Sequence, residues 1–280
     1  MVEHSETFDP LHYWEQHLQA YPGIKGVGYT SRSTKFLEQQ YRSRMQQVEL
    51  ALRHYGLANL AGRSVLDIGS GTGIWLDFWH RHGVERAVGL DFAQPSVETL
   101  QARFPDDLIV QADVSKAPLP LPDNMRFDLI SAFDVLLHIV DPDRLRSAIA
   151  NLAHHCVPGG WLVISDAIVQ GQGYVPKRTY AVFNKVRPVG EYREVLTANG
   201  FVIDSIRPAT VLLGNPLEAP NPLAFLAFSA WWKGTGLWGR SNICSGLLGP
   251  GAVKADQVAC RLFARGIAPT SKIIFARKLD

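Results

Sequence analysis

The chain has 280 residues, of which 46% are hydrophobic and 19% charged, and its formal net charge is +2. This composition predicts a folded domain with a packed core and excludes an intrinsically disordered chain. The charges are interspersed, with Arg42-Ser43-Arg44 as the nearest approach to a basic run, so binding to a nucleic-acid backbone is not expected.

Three features of the sequence indicate the cellular compartment of the protein. They are the cysteines, the N-terminus and the most apolar window. Three isolated cysteines (Cys156, Cys244 and Cys260) match neither a disulfide framework nor a zinc site, so we expect no metal and a reducing cytoplasm. The first six residues are polar and acidic, and they predict no signal peptide. The most apolar window, residues 223–232, is about half as long as a bilayer span, so no stable membrane insertion is expected.

The N-terminal part of the chain reads as helical. Helices are predicted over residues 9–20 and 34–56, the second from apolar residues at three-to-four spacing. A glycine-punctuated loop over residues 21–29 joins them. We assign residues 1–62 to an N-terminal helical cap.

Strand and helix patterns alternate from residue 63 onward. The predicted strands are 64–68, 86–91, 107–111, 127–132, 160–166, 201–207 and 271–277. The predicted helices are 74–82, 95–103, 142–155 and 189–199. Such alternation predicts an α/β fold with a parallel sheet and right-handed crossovers, whose core we assign to residues 63–208 and 270–280.

Residues 209–269 interrupt this alternation before the last strand. The segment is rich in Leu, Phe and Trp, and we predict a mostly helical insertion. Two interpretations stay open. In the first, the insertion is structural and either extends the hydrophobic core or forms the face of a homodimer. In the second, it is the lid or wall of an apolar substrate pocket.

A glycine-rich loop is the most informative motif. The apolar run from Val65 reaches Asp67 and then the turn Gly69-Ser70-Gly71-Thr72-Gly73, which is G-x-G-x-G rather than the dinucleotide pattern G-x-G-x-x-G. Glycines let a bulky ligand touch the backbone, and an acid at the strand end suits an ammonium group better than a pyrophosphate. The loop therefore predicts a site for a nucleoside with a positively charged tail.

Three further strand ends supply candidate ligand-binding residues. Asp91, followed by Phe92, ends the second strand, where a carboxylate accepts hydrogen bonds from both ribose hydroxyls. Asp113 and the Val114 amide follow the third strand and suit an adenine edge. Phe133 ends the fourth strand at the centre of the sheet and is expected to line the cofactor.

These four pieces, in this order, resemble the class I S-adenosylmethionine-dependent methyltransferases over about residues 63–166. The resemblance implies a Rossmann-like, doubly wound, seven-stranded sheet in the order 3-2-1-4-5-7-6 with the last strand antiparallel. It implies S-adenosyl-L-methionine as cofactor. It also implies that Asp67 and the loop residues Gly69, Ser70, Gly71 and Gly73 hold its methionine end.

Within that family, Val135-Leu136-Leu137-His138-Ile139 resembles a segment of small-molecule O-methyltransferases, including sugar and quinone types. His138 and Asp166 occupy the positions of bases proposed in some sugar enzymes, although Ile139 replaces the second histidine of many relatives. The prediction is O-methylation of a moderately apolar small molecule, with His138 as base and Asp166 orienting or replacing it. Of three capping tyrosines, Tyr13, Tyr21 and Tyr29, we favour Tyr29 for a hydrogen bond to cofactor or substrate.

Alternatives stay open for the chemistry. His138 also suits a packing role, and Asp166 a strand-end turn. Carbon or nitrogen methylation of a small-molecule natural product needs no base if the nucleophile is electron-rich, and a non-catalytic partner-binding module is a rival of another class. The Asn/Asp-Pro-Pro-Tyr/Phe loop of amino-methylating nucleic-acid enzymes is absent after the fourth strand, where Ser131-Ala132-Phe133-Asp134 stands.

Overall fold

The computed structural model describes residues 9–177 and 184–280. The N-terminal segment for which no signal peptide is expected lies outside these residues. The strands of the main sheet are β1 (Ser64–Ile68), β2 (Arg86–Asp91), β3 (Leu108–Gln111), β4 (Phe127–Phe133), β5 (Cys156–Asp166), β6 (Phe201–Pro208) and β7 (Lys272–Lys278). Two shorter strands, Ile168–Val169 and Arg187–Pro188, pair separately.

The main sheet has the order β3-β2-β1-β4-β5-β7-β6. Strands β1 to β5 are parallel, and β7 runs antiparallel to both of its neighbours, β5 and β6. The predicted α/β class and strand order are therefore confirmed. All five residues of β1 are buried, as expected for a central parallel strand covered on both faces.

The helices are α1 (Pro10–Ala20), α2 (Thr34–His54), α3 (Ile74–Arg81), α4 (Gln94–Arg103), α5 (Pro142–His155), α6 (Val189–Ala198), α7 (Pro222–Gly234), α8 (Gly236–Gly239) and α9 (Asn242–Leu262). Short 3-10 helices cover Gly23–Val27 and Leu136–His138. The Asp141 side chain caps α5 by accepting from the amides of Asp143 and Arg144.

Strand β5 begins earlier than predicted. The predicted start was residue 160, because Pro158 and two glycines suggest a break. The structure instead keeps the chain in the sheet from Cys156, with a register irregularity opposite Phe127–Leu129. Gly159 has φ +72°, so the extra residues form a local bulge rather than an end of the strand.

The segment 209–269 contains three helices, and α9 lies along α2. A Cβ built on Gly249 would come within 2.5 Å of the Gln39 side chain, so this glycine lets the two helices approach closely. A buried ion pair of 2.7 Å between Lys272 on β7 and Glu218 joins the segment to the sheet. The division into cap, core and insertion stays a prediction.

No helix within residues 9–177 and 184–280 combines the length and the apolar character that a membrane span requires.

Candidate functional site

A cavity of about 630 Å³ opens at the carboxyl ends of the parallel strands, a size typical of small-molecule sites. Its floor comes from the loops that follow β1, β2, β3 and β4. Helices α1 and α2 with the loop between them form one wall, and the first residues of the segment 209–269 form another. This is the edge at which open α/β sheets bind ligands.

The glycine-rich loop forms part of the floor. Gly69 (φ +62°) and Gly71 (φ +54°) have left-handed backbone conformations, which residues other than glycine rarely adopt. A Cβ on Gly69 would lie 2.3 Å from Val135 Cγ2, so the loop also packs too closely for any side chain. Gly69, Ser70 and Gly71 line the cavity, where their backbone is open to contact with a ligand.

Gly73 has a different position from the other loop glycines. It is left-handed (φ +79°) and precedes α3, and a Cβ there would lie 2.5 Å from the Phe104 ring. It is not among the residues that line the cavity. The geometry therefore supports a role in the turn into α3 rather than the predicted contact with the cofactor.

Asp91 connects β2 to the glycine-rich loop and lines the cavity beside Phe92. Its Oδ2 accepts from the Gly71 amide at 2.8 Å, and its Oδ1 accepts from the Ala93 amide at 3.0 Å. Burial raises the pKa of Asp91, although both amides favour the charged form. The carboxylate thus has a fixed orientation at the edge of the cavity.

Asp113 and Val114 also line the cavity, at the end of β3. Asp113 Oδ1 accepts from the Ser115 amide at 2.9 Å, and Oδ2 pairs with Arg144 Nη2 at 2.7 Å. Asn151 on α5 donates to the Val114 carbonyl at 2.8 Å. These bonds fix the loop and leave the Val114 amide as the predicted donor toward an adenine edge.

The side chain of Asp67 is not in the position that its predicted contact with the cofactor requires. Its side chain is 1% exposed, and its Oδ1 accepts from Ser131 Oγ at 2.5 Å. Ser131 in turn accepts from Trp79 Nε1 at 3.0 Å, and burial raises the pKa of Asp67 to about 7. Asp67 does not line the cavity, so the predicted direct bond to an ammonium group is not supported. The carboxylate instead lies between β1 and β4, beneath the loop.

Aromatic side chains cover the remaining floor and one wall. Phe133 lines the cavity and stacks on Trp75 with ring centroids 3.6 Å apart. Tyr29 also lines it, and its ring contacts Trp232 of the segment 209–269 at 5.2 Å. Burial of the hydroxyl raises the pKa of Tyr29, and the nearby Asp134 carboxylate adds to this.

Arg44 and Asp134 form a charged pair on the cavity wall that we did not predict as a binding element. Arg44 Nη1 lies 2.6 Å from Asp134 Oδ2, and Nη2 donates to Ser165 Oγ at 3.0 Å. Asp134 has φ +57°, a strained conformation for a non-glycine residue that is common at functional sites. A signal existed, because Arg44 falls on the apolar stripe of α2 with Tyr41 and Val48.

His138 and Asp166, the predicted bases, have different surroundings. His138 lines the cavity, and its ring meets Trp14 of α1 edge-on with centroids 4.9 Å apart. Asp166 is 1% exposed and is not a lining residue. Its Oδ2 accepts from the Tyr192 hydroxyl at 2.5 Å and its Oδ1 from the Ala167 amide. Direct proton transfer from a substrate to Asp166 is therefore not supported.

Among the described residues, no cluster of three or more His, Cys, Asp or Glu side chains has an arrangement suited to a metal ion.

Comparison with known proteins decides the family. The sequence model of the family described as "Methyltransferase domain" matches residues 37–205, more than half of the chain. The chain belongs to the methyltransferase domain family. Its fold and strand order place it in the class I, S-adenosylmethionine-dependent group, and this membership supplies S-adenosyl-L-methionine as the cofactor.

The chain is similar to two kinds of curated enzyme, a methyltransferase and a carboxymethyltransferase. A ubiquinone biosynthesis O-methyltransferase of Paracidovorax citrulli is 32% identical, over 48% of this chain and 61% of that protein. A tRNA U34 carboxymethyltransferase of Dichelobacter nodosus is 33% identical, over 46% of this chain and 41% of that protein. The chain thus spans less than two thirds of either relative. Because one relative acts on tRNA by name, the exclusion of nucleic acid stays a prediction.

A solved structure with bound cofactor shares the fold. Magnesium protoporphyrin IX methyltransferase of Synechocystis PCC 6803, with bound SAM, superposes with a TM-score of 0.52. The match covers 98% of this chain and 99% of that one at 15% identity. This likeness supports the Rossmann-like architecture assigned from the sequence.

Asp166 makes a testable contribution to the pH dependence of stability. Burial raises its pKa from 3.8 to about 7, so the folded protein holds a proton that the unfolded chain has released. The contribution of Asp166 to the free energy of unfolding is fully present below about pH 4. It falls by up to roughly 4 kcal/mol as the pH rises toward 7 and the folded protein loses this proton. The free energy of unfolding of Asp166→Asn, minus that of the wild type, should therefore rise as the pH increases from 5 to 8. Urea denaturation at each pH measures this difference.

The matched control for this prediction is Asp106→Asn, which makes the same charge change at an exposed residue. It should leave the difference from wild type nearly constant over the same pH interval. Equal pH profiles for the wild type and Asp166→Asn would show that Asp166 stays ionised in the folded protein.

Proposed function

We propose that the chain transfers the methyl group of S-adenosylmethionine to a hydroxyl oxygen of a moderately apolar small molecule. The observation that carries the proposal is the cavity itself, because both the glycine-rich loop and His138 line it. Apolar and aromatic side chains also line this cavity, among them Trp14, Leu18, Tyr41, Phe133, Leu137, Ile139 and Leu217. The similarity to a ubiquinone biosynthesis O-methyltransferase supports oxygen as the acceptor.

The floor residues suit the nucleoside part of the cofactor. Asp91 is held by two backbone amides at the position expected for a ribose-binding acid. Phe92, Asp113 and Val114 surround the adjoining region, where an adenine ring fits between an aromatic face and polar backbone. We assign Phe133 and its stacked partner Trp75 to the floor beneath the cofactor.

The Arg44–Asp134 pair suits the amino-acid end of the cofactor. That end carries a carboxylate and an ammonium group, and the pair presents one charge of each sign to the cavity. The Nε of Arg44 is buried and has no hydrogen-bond partner within the described residues, so the guanidinium retains donor capacity. This assignment replaces Asp67 as the direct partner of the ammonium group.

The sulfonium supplies an already activated methyl group, so the protein must chiefly align the nucleophile and remove its proton. His138 lies where the loop after β4 meets α1, and we assign it the task of accepting the hydroxyl proton on a ring nitrogen. Trp14 restricts the imidazole from one side. Asp166, which lies beneath this surface, has only an indirect, positioning role in this proposal.

Two measurements test the proposal. Isothermal titration with S-adenosylhomocysteine should show binding, and its absence would overturn the cofactor assignment. Radiolabelled S-adenosylmethionine should then label phenolic or quinol-type hydroxyl compounds, with the product linkage read by mass spectrometry. Labelling of amines or carbon atoms alone would favour the rival carbon or nitrogen methylation, and cofactor binding without labelling across all classes would favour a binding module.

A further inference from the structure

The outer surface of residues 219–271 is unusually apolar for a surface in contact with water. Helix α7 is composed mainly of Leu, Ala, Phe and Trp, yet none of its residues is buried. Among the residues that the structure describes, the most exposed large hydrophobic side chains are concentrated in this segment, namely Leu223, Leu226, Leu237, Ile243, Leu247 and Leu262. Apolar surface of this extent on a folded protein marks an interaction site.

Helix α9 shows how this surface is organised. One face, which includes Ser245, Gly249 and Val253, is buried, and α9 lies against α2. Ile243, Leu247, Val258 and Leu262 lie on another face, at intervals of four and eleven residues, and are exposed by 76%, 77%, 55% and 76%. The apolar stripe therefore faces away from the protein.

The charges on the same surface are all of one sign. Between residues 219 and 271, five basic residues are exposed: Lys233, Arg240, Lys254, Arg261 and Arg265. The one acidic residue in this interval, Asp256, is fully buried and accepts from Ser43 and the Val211 amide. Lys254 and Arg261 lie on the outer face of α9 among the apolar residues.

We propose that this apolar and cationic surface binds the face of a lipid bilayer that carries anionic headgroups. Exposed Leu, Ile and Trp side chains enter the boundary between headgroups and acyl chains, while Lys and Arg extend to the phosphates. A second copy of the chain is disfavoured as the partner, because a two-fold contact would bring like charges together with no exposed acid to pair them. Since no described helix can span a bilayer, the association is peripheral.

The surface is fixed to the rest of the molecule and adjoins the cavity. The Lys272–Glu218 pair anchors its start to β7, and the Lys272 ammonium also donates to the carbonyls of Ile168 and Ala268. Trp232 on α7 contacts Tyr29, a residue of the cavity wall. A bilayer on this surface would therefore lie close to one wall of the cavity. The inference goes beyond the proposed function and does not depend on it.

Vesicle flotation with the full chain tests the proposal. Wild-type protein should float with vesicles of phosphatidylcholine mixed with phosphatidylglycerol at least about tenfold more strongly than with phosphatidylcholine alone, and salt should weaken the difference. Leu247→Glu should abolish flotation, since it places a carboxylate on the apolar stripe. The double variant Lys254→Glu/Arg261→Glu should remove the preference for the anionic vesicles.

Leu279→Glu is the matched control, because it adds the same charge at an exposed leucine outside this segment and should float like wild type. Titration with S-adenosylhomocysteine in the absence of vesicles verifies that each variant is folded, and it also tests the proposed function separately. Failure of the wild type to float with anionic vesicles would overturn the proposal. A wild-type dimer that Leu247→Glu converts to monomers, without flotation of either, would identify a second copy as the occupant.

Discussion

Replacing His138 with alanine is expected to lower methyl-transfer turnover by about 10²–10⁴-fold, the usual contribution of a general base. The affinity for S-adenosylhomocysteine should stay within a few-fold of wild type, because the imidazole is assigned to the substrate's proton and not to the cofactor. Turnover and cofactor affinity are measured separately, by product formation at saturating substrate and by calorimetry.

His17→Ala is the control for this experiment, since His17 lines the same cavity from α1 but has no assigned catalytic task. It should retain most of the turnover. Equal losses of turnover and cofactor affinity in His138→Ala would assign the histidine to packing against Trp14. Undiminished turnover would mean that the reaction needs no base there, as for carbon or nitrogen methylation.

Replacing Asp91 with asparagine is expected to weaken cofactor binding by about 100-fold or more. Two hydrogen bonds from ribose hydroxyls to a carboxylate are worth roughly 1.5–3 kcal/mol each, and an amide reproduces them only in part. The amide also has one acceptor oxygen, whereas the carboxylate accepts from both Gly71 and Ala93. The glycine-rich loop therefore loses one of its tethers together with the ligand contact.

The measurement is calorimetric titration with S-adenosylhomocysteine, accompanied by thermal denaturation of the unliganded protein. Asp106→Asn, on the surface, should bind as wild type does. Because burial opposes the charge of Asp91, removing that charge should offset part of the stability that the unliganded protein loses with the tether. A large fall in melting temperature with unchanged affinity would show that Asp91 supports the loop but not the ligand.

Four of the predicted cofactor-binding residues that line the cavity lie at the ends of strands. Asp91, Asp113, Val114 and Phe133 line the cavity because the carboxyl ends of parallel strands meet at one edge. Two strand-end acids depart from expectation, as does Gly73 in the turn into α3. Asp67 and Asp166 are buried below the cavity surface, and strand periodicity says nothing about which neighbour fills the space in front of a side chain.

Local pattern in the sequence determined the seven strands, most of the helix ends and the turn at Gly69 and Gly71. These depend on side-chain periodicity and backbone conformations that act over a few neighbouring residues. The tertiary structure alone decided the Arg44–Asp134 pair, whose members are 90 residues apart in the chain. It alone decided which face of α9 covers α2 and which remains outside. The ion pair and the packed helix face depend on contacts between residues far apart in the chain, and the burial of particular carboxylates depends on which neighbours exclude water from them. A short stretch of sequence does not show which distant residues will meet.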